Sequence, residues 1–426
     1  MKLEKFKNFL ESKHMIPVIL LVSFLGWVTQ LYLITIPILA IIVAMIYFFA
    51  EDVKNSFLIF FYTPFFLSDF SKNSLYIYIS CIVLTAISIV YFIIKMLTKK
   101  IPLKKGKMFW AFVISTIAFL MGGIYKNFNL SAFLITSFFC IICYLIYWIS
   151  VNFTKNLKKY LNISFICGAF FICTQIFLKL IANKSITWLG LQNKNVACIY
   201  LVLGIISCFA MGFKTKKDWS YFLISLLFAF VVYLTSCRLM VLLALITLIT
   251  LFIVMFIKSE NKKAFLLIIG LGVLTTTIIW IIKPHIINNL IQSLLSRGIS
   301  LNGRDELWPW CWNKFKEFPI FGIGFYSSEK VPGVTALINI VLAHNTPLQW
   351  LTSLGIFGTL LMGYFYFKKY QISFKNFKFK NLFLIISIIL IELSGITDQA
   401  ATMDIFVYLL SLILISAIEK ENDQLQ

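Results

Sequence analysis

The sequence predicts an all-α polytopic membrane protein that carries one large folded loop outside the cytoplasm. Of its 426 residues, 60% are hydrophobic, 17% aromatic and only 13% charged, whereas soluble domains have roughly 45–50% apolar residues. Apolar runs follow one another along most of the chain, and the longest polar interruption extends from Lys283 to His344. A bilayer accommodates apolar side chains on the outside of a protein as well as in its core, and water does not.

Fourteen apolar runs are candidates for membrane-spanning helices, each of which needs about 20 residues, with a range of roughly 17–25. They are Ile16–Gln30, Tyr32–Ala50, Phe57–Phe70, Leu75–Met96, Met108–Gly123, Leu130–Val151, Tyr160–Ile181, Val196–Gly212, Trp219–Ser236, Leu239–Ile257, Ala264–Ile282, Thr346–Phe367, Asn381–Ile396 and Thr402–Ile418. The first and third runs are short, and the third contains Pro64. Because short segments can tilt or re-enter the membrane, we expect about 12–14 spans.

Lysine clusters predict the orientation, because basic residues of short loops stay preferentially in the cytoplasm. Alternate connections contain Lys2, Lys5, Lys7 and Lys13; Lys99, Lys100, Lys104, Lys105 and Lys107; Lys155, Lys158 and Lys159; Lys214, Lys216 and Lys217; Lys258, Lys262 and Lys263; and Lys368, Lys369, Lys375, Lys378 and Lys380. The short intervening connections contain about one or two basic residues each, namely Lys72, Lys126, Lys184 with Lys194, and Arg238. Both termini are therefore predicted to be cytoplasmic, and the long loop to face outward.

This orientation divides the chain into three predicted segments. Residues 1–282 form an N-terminal bundle of about 11 spans, residues 283–344 form the outward loop, and residues 345–426 form the last spans and a short cytoplasmic tail. The loop is expected to fold, because its apolar residues recur at helical spacing. One amphipathic helix is predicted over Ile286–Leu295, and a second over Arg304–Phe318 that starts close before Pro309. Two tight turns are expected, at Gly322 with Gly324 and at Pro332 with Gly333.

The net charge of +21 does not predict nucleic-acid binding, because the lysines lie in short clusters between apolar runs and form no continuous basic face. Seven of the nine cysteines, namely Cys81, Cys140, Cys143, Cys167, Cys173, Cys198 and Cys208, lie within apolar runs, where cysteine packs as a small hydrophobic residue. No Walker loop, HExxH sequence or paired-aspartate motif occurs in an outward segment. We therefore expect no cofactor, no metal and no nucleic-acid partner.

Two outward arginines are candidates for anion binding. Arg238 follows Thr235-Ser236-Cys237 where two spans meet, and its planar guanidinium can bind phosphate oxygens in two-point fashion. The alternative is an arginine that extends to the membrane interface. Arg304 lies near the start of the predicted loop helix, where free amides and the helix dipole favour an anion. Its alternative is an ion pair with Asp305, Glu306 or another loop carboxylate.

Other polar and aromatic residues at the outer face have two interpretations each. His344 can accept a proton from a sugar hydroxyl or contact phosphate, or it can be a structural hydrogen-bonding residue. The aromatic residues can stack on sugars or anchor the loop among lipid headgroups; they are Trp308, Trp310, Trp312, Phe315 and Phe318. Glu392, Asp398 and Asp404 can line a polar cavity or pair with Lys179 or an arginine.

In chain order, these motifs resemble the O-antigen ligase and polymerase superfamily. The matching motifs are Arg238 after a span, Gly303-Arg304-x-x-x-Trp308, Pro319-x-Phe321-Gly322-Ile323-Gly324, His344-Asn345, and Leu354-Gly355-Ile356-Phe357-Gly358. Asn193-Lys194-Asn195 is similar to the asparagine-rich outer turn of the family, with lysine at a position often held by proline. Cys237 is a departure, because the family usually has serine before the arginine.

The resemblance implies transfer of an oligosaccharide from an undecaprenyl diphosphate donor to the hydroxyl of an acceptor glycan, at the outer face of a bacterial cytoplasmic membrane. Arg238 and Arg304 are then the catalytic clamp on the diphosphate, and His344 is the general base or a third phosphate contact. Asn193, Asn195, Trp308 and Asn345 are the further substrate-binding residues expected. The transfer is expected to be inverting and metal-independent, because preplaced guanidinium groups can stabilise the charge of the leaving diphosphate.

The motifs leave the acceptor open between a polymerase, which extends another lipid-linked repeat unit, and a ligase, which uses a lipid or protein acceptor. The bias towards Lys, Asn, Ile and Phe suits a low-GC Gram-positive source, which favours a capsule or exopolysaccharide polymerase. A transporter of lipid-linked oligosaccharide is the competing class, and it predicts charges distributed within the spans. Expected partners are the lipid-linked donor, the acceptor glycan and membrane lipid, with other capsule or polysaccharide assembly proteins as candidates.

Overall fold

The fold is helical along almost the whole described chain. A computed structural model describes residues 2–67, 72–99, 103–122, 130–213, 215–282, 304–324, 343–375, 377–396 and 405–423. The helices are α1 (Lys2–Glu11), α2 (Met15–Thr29), α3 (Tyr32–Phe49), α4 (Phe57–Phe66), α5 (Lys72–Thr98), α6 (Phe109–Met121), α7 (Leu130–Phe153), α8 (Leu157–Ile181), α9 (Lys194–Gly212), α10 (Asp218–Leu234), α11 (Arg238–Lys258), α12 (Lys262–Ile282), α13 (Arg304–Glu317), α14 (Thr346–Phe374), α15 (Leu382–Ser394) and α16 (Ile405–Asp423). The strands β1 (Trp188–Leu189) and β2 (Gln192–Asn193) pair antiparallel.

Each of the fourteen predicted apolar runs contains a helix, so the all-α polytopic class is confirmed. Among the described residues, seven helices are long and apolar enough to cross a membrane, or eight if the bent pair α1 and α2 forms one span. Helices α6, α10 and α15, together with residues 139–153 of α7, are apolar but shorter. The short first and third runs correspond to α2 and to α4, which contains Pro64. The count of 12–14 spans stays a prediction.

The chain forms two compact units by internal contacts. One comprises Met1–Pro64, Asp69–Lys158 and Asn302–Gln426, and the other comprises Phe65–Ser68 and Lys159–Leu301. In the second unit α9 is the central helix, because it is buried along nearly its whole length and packs against α10 and α11. In the first unit α14 packs against α6, α13 and α16. The three predicted segments are defined by position along the chain and stay a prediction.

Helix α14 is broken at Gly355, whose backbone has φ +64°. The turn Pro319–Gly324 docks onto this break through four backbone hydrogen bonds, which join Ile323 N to Thr352 O, Gly324 N to Ser353 O, Ile356 N to Pro319 O and Phe357 N to Ile320 O. A Cβ atom on Gly355 would lie 2.4 Å from the carbonyl carbon of Ile320, so only glycine fits. The tight turn predicted at Gly322 and Gly324 is confirmed, with φ +63° and +84°.

Lys369, which was predicted to belong to a cytoplasmic loop, lies inside a helix. Lys369 was expected in a loop after a span ending at Phe367, but α14 continues to Phe374, and Lys369 is buried and forms an ion pair with Glu392 of α15. The alternative that paired Glu392 with Lys179 or an arginine is therefore wrong. The carboxylate of Glu392 on α15 compensates the charge of Lys369, so α14 can continue past this lysine with its side chain buried. Asp398 and Asp404 lie outside the described residues.

Candidate functional site

Helix α13 lies in the described part of the long loop, and its bounds Arg304–Glu317 agree with the helix predicted over Arg304–Phe318. Its Leu307 and Cys311 are one turn apart and buried, and they pack in one cluster with Ile323 and Ala343. Burial raises the pKa of the Cys311 thiol to about 11, against the opposing effect of a hydrogen bond with Thr352. The predicted helix Ile286–Leu295 and the turn at Pro332 and Gly333 lie outside the described residues. The apolar face of α13 thus fixes the helix beside the residue that precedes His344.

The aromatic residues of α13 separate into different environments. The indole N–H of Trp308 donates to the carbonyl oxygen of Ala343 at 2.8 Å, so this half-buried ring positions the backbone next to His344. Trp310 and Phe318 pack against the buried cluster that contains Leu307. Trp312 is 45% exposed, and its ring centroid lies 5.2 Å from that of Phe315. Arg304 lies one helical turn before Trp308, so both side chains leave the helix on the same face.

His344 lies in the short connection that leads into α14. Its backbone φ is +49°, a left-handed conformation that non-glycine residues adopt rarely. Asn345 caps the helix, because its side-chain oxygen accepts from the N–H of Leu348 at 2.9 Å. The amide group of Asn345 donates to the carbonyl of Ile396 at 3.1 Å, and the N–H of Thr346 donates to that of Gly395 at 2.9 Å. The start of α14 is therefore tied to the end of α15.

Arg238 belongs to the other compact unit and is the first residue of α11. It is exposed, and the preceding Ser236 has φ +56° in the sharp turn between α10 and α11. The start of α9 holds this turn, because the Lys194 ammonium donates to the carbonyl of Thr235 at 3.1 Å and the Cys237 thiol donates to the side-chain oxygen of Asn195 at 3.0 Å. The starts of two long helices, whose dipoles favour anions, are therefore adjacent at Arg238.

Asn193 also caps a helix. Its side-chain oxygen accepts from the N–H of Val196 at 3.0 Å at the start of α9, and its backbone pairs with Trp188 in the two-stranded hairpin. The structure therefore gives Asn193, Asn195 and Asn345 local hydrogen-bonding partners, and their predicted contacts with substrate stay a prediction.

The structure brings the predicted site residues together in two groups. Arg304, Trp308, His344 and Asn345 belong to one compact unit, where α13 and the start of α14 are joined by the bond between Trp308 and Ala343. Arg238, Asn193 and Asn195 belong to the other, where the start of α9 contacts the turn before α11. Within the described residues no cluster of three or more His, Cys, Asp or Glu side chains could hold a metal ion.

Residues 222–363 match the family model described as O-antigen ligase. About a third of the chain is therefore similar to the O-antigen ligase family. The match confirms the predicted resemblance, and the seven long apolar helices of the described residues indicate a multi-pass membrane protein. The matched segment contains Arg238, Arg304, Trp308, His344 and Asn345, whereas Asn193 and Asn195 precede it. Neither the curated proteins nor the solved structures include a significant match to the chain.

Gln349 is a residue that the sequence patterns did not single out, and it is completely buried within the segment that matches the O-antigen ligase model. Its side-chain oxygen accepts from the backbone N–H of Ala343 at 2.8 Å. A signal was present, because a glutamine within an apolar run needs an internal hydrogen-bonding partner. The partner, Ala343, could not be predicted, because it depends on how the connection before α14 folds back against the helix.

Proposed function

We propose that the protein is a polysaccharide repeat-unit polymerase that transfers an oligosaccharide from undecaprenyl diphosphate to the hydroxyl of an acceptor glycan. The observation that carries the proposal is the O-antigen ligase match, which covers Arg238, Arg304 and His344 in one segment. The reaction takes place at the outer face of a bacterial cytoplasmic membrane, with both termini in the cytoplasm. The lysine bias of alternate connections supports this orientation.

The arginines stabilise the leaving group. When the bond between the anomeric carbon and the diphosphate oxygen breaks, negative charge grows on the diphosphate, and Arg238 and Arg304 bind this charge more tightly in the transition state than in the donor. Arg238 is the first residue of α11 and Arg304 the first described residue of α13, and the dipole at the start of a helix adds partial positive charge beside each of them. Each such donor typically contributes about 3–4 kcal/mol in an enclosed site, which corresponds to a factor on the order of 10²–10³ in rate.

His344 receives the proton of the acceptor hydroxyl as that oxygen attacks the anomeric carbon from the side opposite the diphosphate. The anomeric configuration inverts, and the products are the extended glycan and undecaprenyl diphosphate. A second possible role for the histidine is a third phosphate contact as imidazolium. The fixed backbone at Ala343 supports either role, because a positioned group loses little freedom on reaching the transition state.

The experiment uses the purified protein in liposomes with a fluorescent lipid-linked repeat unit. Polymerase activity is expected to give a ladder of products from this substrate alone, with unchanged yield in a chelator and with an inverted linkage by NMR. A single product that requires an added lipid or peptide acceptor identifies a ligase, the second candidate, which the description of the matched family favours. Movement of the substrate across the bilayer with no new glycosidic bond identifies a transporter and overturns the proposal.

The outward placement of the loop has its own test, which uses two adjacent residues of α13. Cys311 is buried and its thiol has a pKa raised to about 11, whereas Trp312 is exposed. In intact cells a membrane-impermeant maleimide is expected to label Trp312→Cys and to leave native Cys311 unlabelled, because only an exposed thiol with an ordinary pKa reacts readily. Labelling of Trp312→Cys only after the membrane is permeabilised contradicts the orientation.

A further inference from the structure

Gln349 occupies a buried position one turn into α14, and both ends of its side-chain amide are engaged. The oxygen accepts from the N–H of Ala343 at 2.8 Å, and the nitrogen donates to the hydroxyl of Ser353 at 2.9 Å. A buried amide whose two ends both have partners has one preferred orientation, since a flip places donor against donor. Gln349 therefore presents an acceptor to the backbone immediately before His344.

The two backbone groups of Ala343 are both bound by side chains. The N–H of Ala343 donates to the side-chain oxygen of Gln349, and its carbonyl oxygen accepts from the indole N–H of Trp308. The next residue is His344, with φ +49°, and a non-glycine residue stays in that conformation only when its surroundings hold it. On the other side Asn345 begins the helix with a capping bond. The conformation of His344 is thus fixed by contacts of its neighbours, and the side chain of Gln349 supplies the contact that α14 makes with Ala343.

Gln349 also connects His344 with the broken part of α14. Gln349 is hydrogen-bonded to Ser353, and the backbone carbonyl of Ser353 accepts from the N–H of Gly324. The backbone carbonyl of the adjacent Thr352 accepts from the N–H of Ile323. The hydroxyl of Thr352 donates to the carbonyl of Cys311 in α13. The same few residues therefore join α13, the turn at Gly322 and Gly324, and the backbone before His344.

We propose that Gln349 is a positioning residue for His344, and that it holds the imidazole in place for transfer through its hydrogen bond to Ala343. The inference rests on the proposed function. It assigns no contact with substrate to Gln349. Loss of the bond is expected to let the backbone of His344 relax from its left-handed conformation, and a shift of about 1 Å in a reacting group can reduce a rate on the order of 10²-fold.

Four variants test this in the liposome assay: Gln349→Leu, Gln349→Glu, His344→Ala, and the double variant with Gln349→Leu and His344→Ala. Gln349→Leu is expected to lower kcat by about 10- to 100-fold, with little change in KM for the lipid donor. Gln349→Glu keeps an oxygen acceptor for the Ala343 N–H, and it is expected to restore activity to within about threefold of wild type. In the absence of the imidazole the Gln349→Leu change is expected to cost nothing more, so the double variant equals His344→Ala.

Two results overturn the inference while the proposed function stands. One is a Gln349→Leu effect of equal size with and without His344, and the other is a Gln349→Glu variant as impaired as Gln349→Leu although it remains folded by size-exclusion chromatography and thermal unfolding. An inactive wild-type protein, or a His344→Ala variant with full activity, overturns the proposed role of His344, and the inference falls with it.

Discussion

The indole N–H of Trp308 donates a 2.8 Å hydrogen bond to the carbonyl oxygen of Ala343, the residue directly before His344. This contact gives the loop helix α13 a defined position relative to the start of α14. From the sequence, Trp308 was predicted either to stack on sugars or to anchor the loop among lipid headgroups. The hydrogen bond to Ala343 is a third, structural role that the sequence did not predict. A contact of its ring face with sugar stays a prediction.

Replacement of Trp308 with phenylalanine keeps an aromatic ring and removes the donor. It is expected to destabilise the folded protein by about 1–3 kcal/mol, because the partly buried carbonyl of Ala343 loses its partner. Trp312→Phe is the matched control, since Trp312 lies on the same helix and is 45% exposed, and its change should stay within about 0.5 kcal/mol. Thermal unfolding in detergent measures both. Equal effects of the two replacements contradict the assigned role.

Replacement of Gly355 with alanine tests the broken helix. The new Cβ atom meets the backbone of Ile320 at 2.4 Å, and φ +64° is unfavourable for alanine, so a loss of at least about 1–3 kcal/mol is expected. Gly363→Ala is the control in the same helix, where no atom lies within 4 Å of the new methyl group. Alanine there should be neutral or stabilise by up to about 1 kcal/mol. Equal thermal unfolding of the two variants would contradict the docking of the Ile320 backbone against Gly355.

The buried ion pair of Lys369 and Glu392 is expected to show strong coupling. Removal of one partner leaves an uncompensated charge among apolar helices, so Lys369→Met and Glu392→Gln should each destabilise the protein by about 3–5 kcal/mol. The double variant should lose about 0.5–3 kcal/mol less than the sum of the two, as residues in direct contact do. The free energies of unfolding of all four proteins give this difference, and strictly additive losses would show that the side chains do not interact.

Glu51 gives a prediction for pH. Hydrogen bonds from Lys99 at 2.9 Å and Lys7 at 3.2 Å lower its pKa from 4.5 to about 2. A carboxylate with a lowered pKa in the folded state stabilises fully above pH 4.5, and that stabilisation is lost as the pH falls towards 2. The difference in melting temperature between wild type and Glu51→Gln should therefore shrink on acidification. Added salt should also reduce this difference in melting temperature, because the Glu51 side chain is about two-fifths exposed and its ion pairs are screened. A difference that is constant between neutral pH and about pH 3 contradicts the shift.

The sequence predicted the fold class and the positions of the helices, because length and hydrophobicity alone determine which segments can cross a bilayer. It also predicted α13 and the turn at Gly322 and Gly324, where helical spacing and glycine carry direct local information. It missed the burial of Lys369, because a charge past the end of an apolar run usually marks a loop. The partner that changes this, Glu392, is distant in sequence.

The candidate site was predicted as a set of residues, and their environments required the structure. The capping roles of Asn193 and Asn345 could be predicted from the sequence, because asparagine before an apolar helical run is a capping signal. The bonds of Trp308 and Gln349 to Ala343 were not, since both depend on backbone groups of a connection whose path is set by tertiary packing.

The central claim is that Arg304 and His344 act in glycan transfer, and the most direct measurement is polymer formation from lipid-linked repeat units by purified Arg304→Ala and His344→Ala variants. Loss of the guanidinium is expected to reduce the rate by a factor on the order of 10²–10³, and loss of the imidazole by about 10²–10⁴. Lys316→Ala, which removes an exposed cation from the same helix, should retain the wild-type rate. Wild-type polymer formation by Arg304→Ala and His344→Ala would contradict the site assignment.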